Sequence, residues 1–135
     1  MPYILDTDWA INAMARRRRA DTTLRRLAQA GVAVSLVTVG EIYEVAFNSP
    51  NPEAHLTSSR RFFRPFRILG LNDAIMERFA EMRAYLRRRG EIIPDFDLLI
   101  GATALQYGLT VLTYNLRHFS RIPDLGIYQP RQSSS

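Results

Sequence analysis

The chain has no cysteine and no lysine, and only two histidines. Without cysteine it can form neither disulfides nor thiolate zinc sites, which agrees with a reducing compartment. No apolar run approaches the ~20 residues of a membrane span. The N-terminus enters a short apolar segment with no charged region and long hydrophobic stretch before it, so no signal peptide is read, and a cytoplasmic location is expected. No glycine-rich phosphate loop, no G-x-S-x-G nucleophile turn and no metal-type histidine pair is found. No internal repeat or linker divides the 135 residues, a length that suits one domain. Residues 1–131 are read as that domain and residues 132–135, which include Ser133-Ser134-Ser135, as a frayed tail.

What is present is basic. All eighteen Lys+Arg positions are arginine, and the formal net charge is +5. Arginine's planar fork suits bidentate phosphate contacts, and a positive field attracts a polyanion. Arg16 to Arg19 and Arg87 to Arg89 are the two blocks. They read as solvated faces or helix ends, or as a surface that captures nucleic acid.

Strand-like and helix-like patterns alternate. Tyr3-Ile4-Leu5 is a short buried strand, followed by a helix through Trp9, Ile11 and Met14 that Thr7 or Asp8 caps. A second helix starts near Asp21 or Thr22 and stops at Gly31. Val32 to Val37, β-branched and apolar, reads as a central strand. Thr38-Val39-Gly40-Glu41 matches the capping-box pattern and predicts a helix opening there. A helix carrying Leu56, Phe62 and Phe63 runs to Pro65, and a strand covers Phe66 to Leu69. Asn72 caps a regular helix with Ile75, Phe79, Met82 and Leu86 on one face. Pro94 precedes an apolar helix from Asp97 to Tyr107, where Gly101, Ala102 and Ala104 permit close packing. Leu109 to Thr113 is a fourth strand. This alternation predicts an α/β fold, a three-layer α/β/α domain on a central parallel sheet.

In such sheets sites form beyond the carboxyl ends of the strands. Asp6 follows the first strand, Thr38 and Glu41 the second, and Asn115 the fourth, while Asp95 and Asp97 open the late apolar helix. Acids gathered at one rim repel one another and favour a hard cation of Mg2+ or Mn2+ type, which takes oxygen ligands. Each acid also has a plainer reading. Asp8 is a natural helix cap, Glu41 part of a capping box, and Asp95 an N-cap. His55 reads as a surface residue, and His118 as a candidate for the rim.

In its ordered motifs the chain resembles the PIN-domain ribonucleases, and most closely the VapC-type toxins of prokaryotic toxin–antitoxin pairs. Ile4-Leu5-Asp6-Thr7-Asp8 and Ser35-Leu36-Val37-Thr38-Val39-Gly40-Glu41-Ile42 carry the likeness first. Ile93-Pro94-Asp95-Phe96-Asp97-Leu98-Leu99-Ile100-Gly101-Ala102-Thr103-Ala104 and Val111-Leu112-Thr113-Tyr114-Asn115-Leu116-Arg117-His118-Phe119 complete it. The resemblance implies a PIN-like nuclease domain with Mg2+- or Mn2+-dependent endoribonuclease activity, working as a homodimer against RNA and neutralised by a small cognate antitoxin. Asp6, Glu41 and Asp97 match the metal-binding acids, Thr113 and Asn115 the polar pair after the last core strand, and Thr7 and Thr38 small hydroxylated positions. Many relatives place a fourth acid where this chain has His118, so the fourth position is open between His118 and Asp95, two residues from Asp97. The implied antitoxin groove lies on the early helices, with Trp9, Ile11, Met14 and Phe47 as anchors. The rival readings are a PIN-fold nuclease for ribosomal RNA maturation or structured DNA, and a non-catalytic binding module whose acids hold an arginine-bearing partner.

Overall fold

A computed structural model describes residues 2–130, so the expected frayed tail lies outside the described residues. In chain order the elements are β1 (Tyr3–Leu5), α1 (Thr7–Met14), α2 (Ala20–Ala28), β2 (Val32–Ser35), α3 (Leu36–Phe47) and α4 (Pro52–Phe63). Then come β3 (Arg67–Leu69), α5 (Asp73–Arg88), α6 (Asp95–Tyr107), β4 (Thr110–Leu112) and α7 (Leu116–Phe119). The strands form one sheet in the order β3-β2-β1-β4. Every pairing is parallel, with Ile4 beside Ala33 and Val111, and Val34 beside Ile68. Parallel pairing sends all four carboxyl ends to the same rim, which is the geometry the alternating pattern predicts.

Alternation along the strands divides the core in two. Ile4, Ala33 and Val111 point to the face where Ile75, Leu86, Leu98, Ile100 and Phe119 pack. Leu5, Val34 and Leu112 point to the other, against Trp9, Leu24, Ile42 and Phe63. Both faces of the sheet are therefore covered, and each fully buried branched side chain contributes about 1.5–3 kcal/mol. The tight seam is at α6, where a Cβ on Gly101 would fall 2.6 Å from Ile122 Cδ1. Among the described residues no helix is long and apolar enough to cross a membrane.

The helix starts correct three expectations. β2 ends at Ser35, whose hydroxyl accepts from the Val37 N–H at 3.1 Å, so α3 begins before the Thr38–Glu41 pattern and no capping box forms there. Ser35 reaches the free N–H groups first, which leaves Thr38 buried within the first turn and Glu41 in the second. Asp6, not Thr7 or Asp8, occupies the position before α1, yet its carboxylate makes no capping bond. Pro94 precedes α6, placing Asp95 and Asp97 in its first turn. By contrast the Asn72 cap forms as expected, with Oδ1 accepting from the Ile75 N–H at 2.9 Å.

Candidate active site

The rim beyond β1, β2 and β4 gathers acidic and hydroxyl side chains. The Asp6 N–H donates to Leu112 O at 3.0 Å, which continues the β1–β4 pairing one step past the strands and fixes Asp6 beside Thr113. The Thr113 hydroxyl donates to Asp6 Oδ2 at 2.7 Å and accepts from the Asn115 N–H at 2.9 Å. Thr113 Oγ1 also lies 3.3 Å from Asp8 Oδ1, and the Tyr114 N–H donates to Asp8 Oδ2 at 3.1 Å. Asp6 and Asp8 are thus held side by side by the loop after β4.

Across the pocket α3 and α6 bring their own acids. The Thr7 hydroxyl donates to Glu41 Oε1 at 2.6 Å, with Thr38 Oγ1 3.2 Å from Thr7 Oγ1. Asn115 Nδ2 donates to Asp97 Oδ2 at 3.2 Å, and His118 Nδ1 lies 2.7 Å from the same oxygen. The two nitrogens are 2.7 Å apart, so Asn115, His118 and Asp97 form one polar knot at the start of α7.

The electrostatics follow from burial. Asp6 is buried, and desolvation, with the nearby Asp8 charge second, raises its pKa from 3.8 to about 8. Burial also raises Asp8, against the lowering effect of its hydrogen bonds. Glu41 is raised by burial first, and further by the charges of Asp97, Glu44 and Asp8. The ion pairs elsewhere are Arg25–Asp21, Arg83–Asp95 and Arg89–Glu91. Among the described residues no arginine pairs with Asp6, Asp8, Glu41 or Asp97, although the chain is basic overall. Asp6, Asp8 and Glu41 therefore have no arginine partner among the described residues, and burial keeps their proton affinity high.

That donor set suits a hard divalent cation. Among the described residues no three of its carboxylate and imidazole groups already close on one point as a finished metal shell would. Mg2+ keeps several waters and needs only one or two direct carboxylates, so a partly open set is compatible with it. The crowding of buried Asp6 and half-buried Asp8 is what a cation would relieve.

Of the sequence candidates, Asp6, Glu41, Asp97, Thr113 and Asn115 meet at this rim, with Thr7 and Thr38 supporting them. Asp95 does not join them: its Oδ1 accepts from Arg83 Nε at 2.9 Å on the exposed side of α6. Asp8, read as a cap, belongs to the cluster. The signal available was its i+2 spacing from Asp6, which places both at the start of one helix. On the early helices a cavity of about 390 Å3 is lined by Ile11, Met14, Ile42, Val45, His55 and Ser58 among others. Trp9 is buried beneath Tyr114 and does not line it, which removes Trp9 from the surface anchors.

Comparison with known proteins gives a consistent answer. The family model described as PIN domain matches residues 3–125. Ribonuclease VapC2 of Haemophilus influenzae is 32% identical over 123 residues, covering 90% of this chain and 92% of the relative. The tRNA(fMet)-specific endonuclease VapC of Shigella flexneri is 28% identical over 125 residues, covering 93% and 95%. Among solved structures, a chain of VapBC2 from Rickettsia felis, bound to a DNA fragment from their promoter, superposes with a TM-score of 0.88 at 26% identity, covering 95% of this chain and 98% of that one.

Proposed function

The chain belongs to the PIN-domain family, on its VapC branch, and from that premise we propose that it is the toxin of a toxin–antitoxin pair, a Mg2+- or Mn2+-dependent endoribonuclease. The observation that carries the reading is buried Asp6 beside half-buried Asp8, with the Asp6 pKa pushed up to about 8 and no arginine against the pair among the described residues. The Thr7 and Thr113 hydroxyls hold Glu41 and Asp6 in place within that pocket. Relatives named as ribonucleases support the nuclease assignment.

Asp6, Asp8, Glu41 and Asp97 would hold the metal, directly or through water. When bound, such a cation supplies Lewis-acid charge for phosphodiester hydrolysis and makes a water more acidic. The chain's residues do the placing. Thr113 fixes Asp6 Oδ2, so that Oδ1 is left for the cation or a water. Thr7 fixes Glu41 Oε1 in the same way and leaves Oε2. Asn115 and His118 set the rotation of Asp97.

The groove at Ile11, Met14 and Val45 suits an apolar antitoxin segment. Exposed Leu36, Ile68 and Leu71 on the β3 edge give a second copy of the chain an apolar surface to cover. Native mass of the protein purified with and without the product of its neighbouring gene reads both assemblies. For the activity, partner-free protein is incubated with total cellular RNA in Mg2+, in Mn2+ and in EDTA. Discrete fragments that need metal are expected; fragments equally abundant in EDTA would overturn the metal-dependent reading.

A further inference from the structure

The pocket's rim carries a second construction that the carboxylates do not require. Tyr114 lies between two flat groups. On one face the Trp9 indole stacks parallel to it, with centroids 4.5 Å apart and planes 2° from parallel. On the other face the Arg18 guanidinium carbon sits 3.7 Å from the ring centroid. Trp9 is buried and donates from Nε1 to Ala20 O at 3.2 Å, at the residue that follows the arginine run. The Tyr114 N–H is bonded to Asp8. One stack therefore ties the Arg16–Arg19 turn to the acidic pocket.

The turn is bent against ordinary preference. Arg16, Arg18 and Arg19 have φ of 55°, 57° and 56°, a left-handed conformation that residues with a Cβ rarely adopt. Such strain persists where surrounding contacts hold it, and here the Tyr114–Trp9 stack is one of those contacts. All four arginines are exposed, and among the described residues none forms an ion pair with an acid. Coulomb attraction alone would draw Arg18 onto Asp8; instead the cation stands on a ring face. A guanidinium seated over a ring face, with no carboxylate against it among the described residues, has N–H groups left to bond two oxygens of a phosphate.

We propose that Arg18, held on the Tyr114–Trp9 stack, grips an RNA backbone phosphate beside the scissile one and so sets the substrate strand against the acidic pocket. This rests on the nuclease reading of the acidic pocket. The bound group is a phosphodiester, so the contact sets register on the strand and carries no base preference.

The test measures KM and kcat on a single-stranded RNA that the wild type cleaves, over a range of salt. The variants are Arg18→Ala, Arg18→Lys and Tyr114→Leu, with Arg78→Ala as the equal-charge control. Arg78 bonds Gln106 near the far end of α6 from Asp97. Arg18→Ala is expected to raise KM about tenfold with kcat within about twofold, and to flatten the log KM against log salt slope by roughly 0.7, the value of one single-strand phosphate contact. Tyr114→Leu should reproduce the KM effect, and Arg18→Lys should recover less than half of it. Arg18→Ala matching Arg78→Ala in KM and salt slope would overturn the proposal while leaving the nuclease reading intact. Arg18→Lys equal to wild type would overturn the stacked geometry. Unchanged RNA kinetics with weakened antitoxin binding would give the turn to the protein partner and overturn it as well. A wild type that cleaves no RNA overturns the nuclease reading and this proposal together.

Discussion

Asp6 and Asp97 face one pocket from opposite surroundings. Asp6 is buried, receives one side-chain hydrogen bond, from Thr113, and has Asp8 beside it, so its proton affinity climbs until its pKa is about 8. Asp97 stands in the first turn of α6, where the helix dipole favours an anion, and both an amide and an imidazole nitrogen reach its Oδ2. One side of the pocket lacks positive charge and the other is already supplied with donors. The difference teaches where a bound cation would matter most: at the Asp6–Asp8 side, where it would compete with a proton for the same place.

The strongest way to break that contrast is Asp6→Asn. Cleavage is expected to fall by about 10³-fold, the scale of losing a charge contact made at the reacting centre. The same variant should be more stable than wild type by about 1–3 kcal/mol in EDTA near pH 8, because it removes a buried carboxylate from beside Asp8. The sign follows from linkage. The folded pKa of Asp6, about 8, lies above the ordinary 3.8, so the folded state binds the proton more tightly. This group's contribution to metal-free stability is fully present below about pH 4 and is lost as pH rises through about 8. Thermal unfolding in EDTA should therefore show wild type losing stability with pH faster than Asp6→Asn, and Mg2+ restoring wild type alone. Parallel pH slopes for the two proteins would sink the contrast.

A smaller effect tests the other side. His118→Ala removes one donor from Asp97 Oδ2 and leaves Asn115 in place. A loss of about tenfold in Mg2+ affinity or in rate is expected, typical of removing a group that orients a ligand. Calorimetric Mg2+ titration reads it apart from activity. A loss as large as that of Asp6→Asn would mean that the donors on Asp97 are as indispensable as the Asp6–Asp8 pair.

The sheet was legible because its cause is local: short apolar runs between helical periods allow little except parallel pairing, and parallel pairing places Asp6, Glu41 and Thr113 on one rim. Glu41 was found by its place after the second strand, but the capping-box reading of it failed, since Ser35 competes for the same N–H groups three residues earlier. Asp8 was hidden because a cap and a pocket acid are the same residue type at the same position. What separates them is a contact with Tyr114, 106 residues away, which no local pattern reports. α7 has four residues, too few for a period, so His118's approach to Asp97 could not be read as helical geometry. Trp9 was misjudged for a related reason: a likeness in motifs names a groove without saying whether a loop residue such as Tyr114 closes over one of its side chains.

The smallest expected effect concerns Asp95, which the sequence offered as a substitute for a fourth acid. Its carboxylate is 57% exposed and paired with Arg83, itself 41% exposed, on the outside of α6. Exposed pairs of this kind contribute about 0–1 kcal/mol. The pocket meanwhile has its fourth acid in Asp8, two residues from Asp6 and held by the Tyr114 N–H. Asp95→Ala should then leave cleavage within about twofold and the midpoint of thermal unfolding nearly unmoved, whereas Asp8→Ala should lower activity well beyond His118→Ala. Side-by-side rates for the two aspartate variants decide which acid completes the site. If Asp95→Ala proved the more damaging, the start of α6 would have to turn inward when substrate binds, breaking the Arg83 pair, and the two sides of the pocket would no longer differ in the way described above.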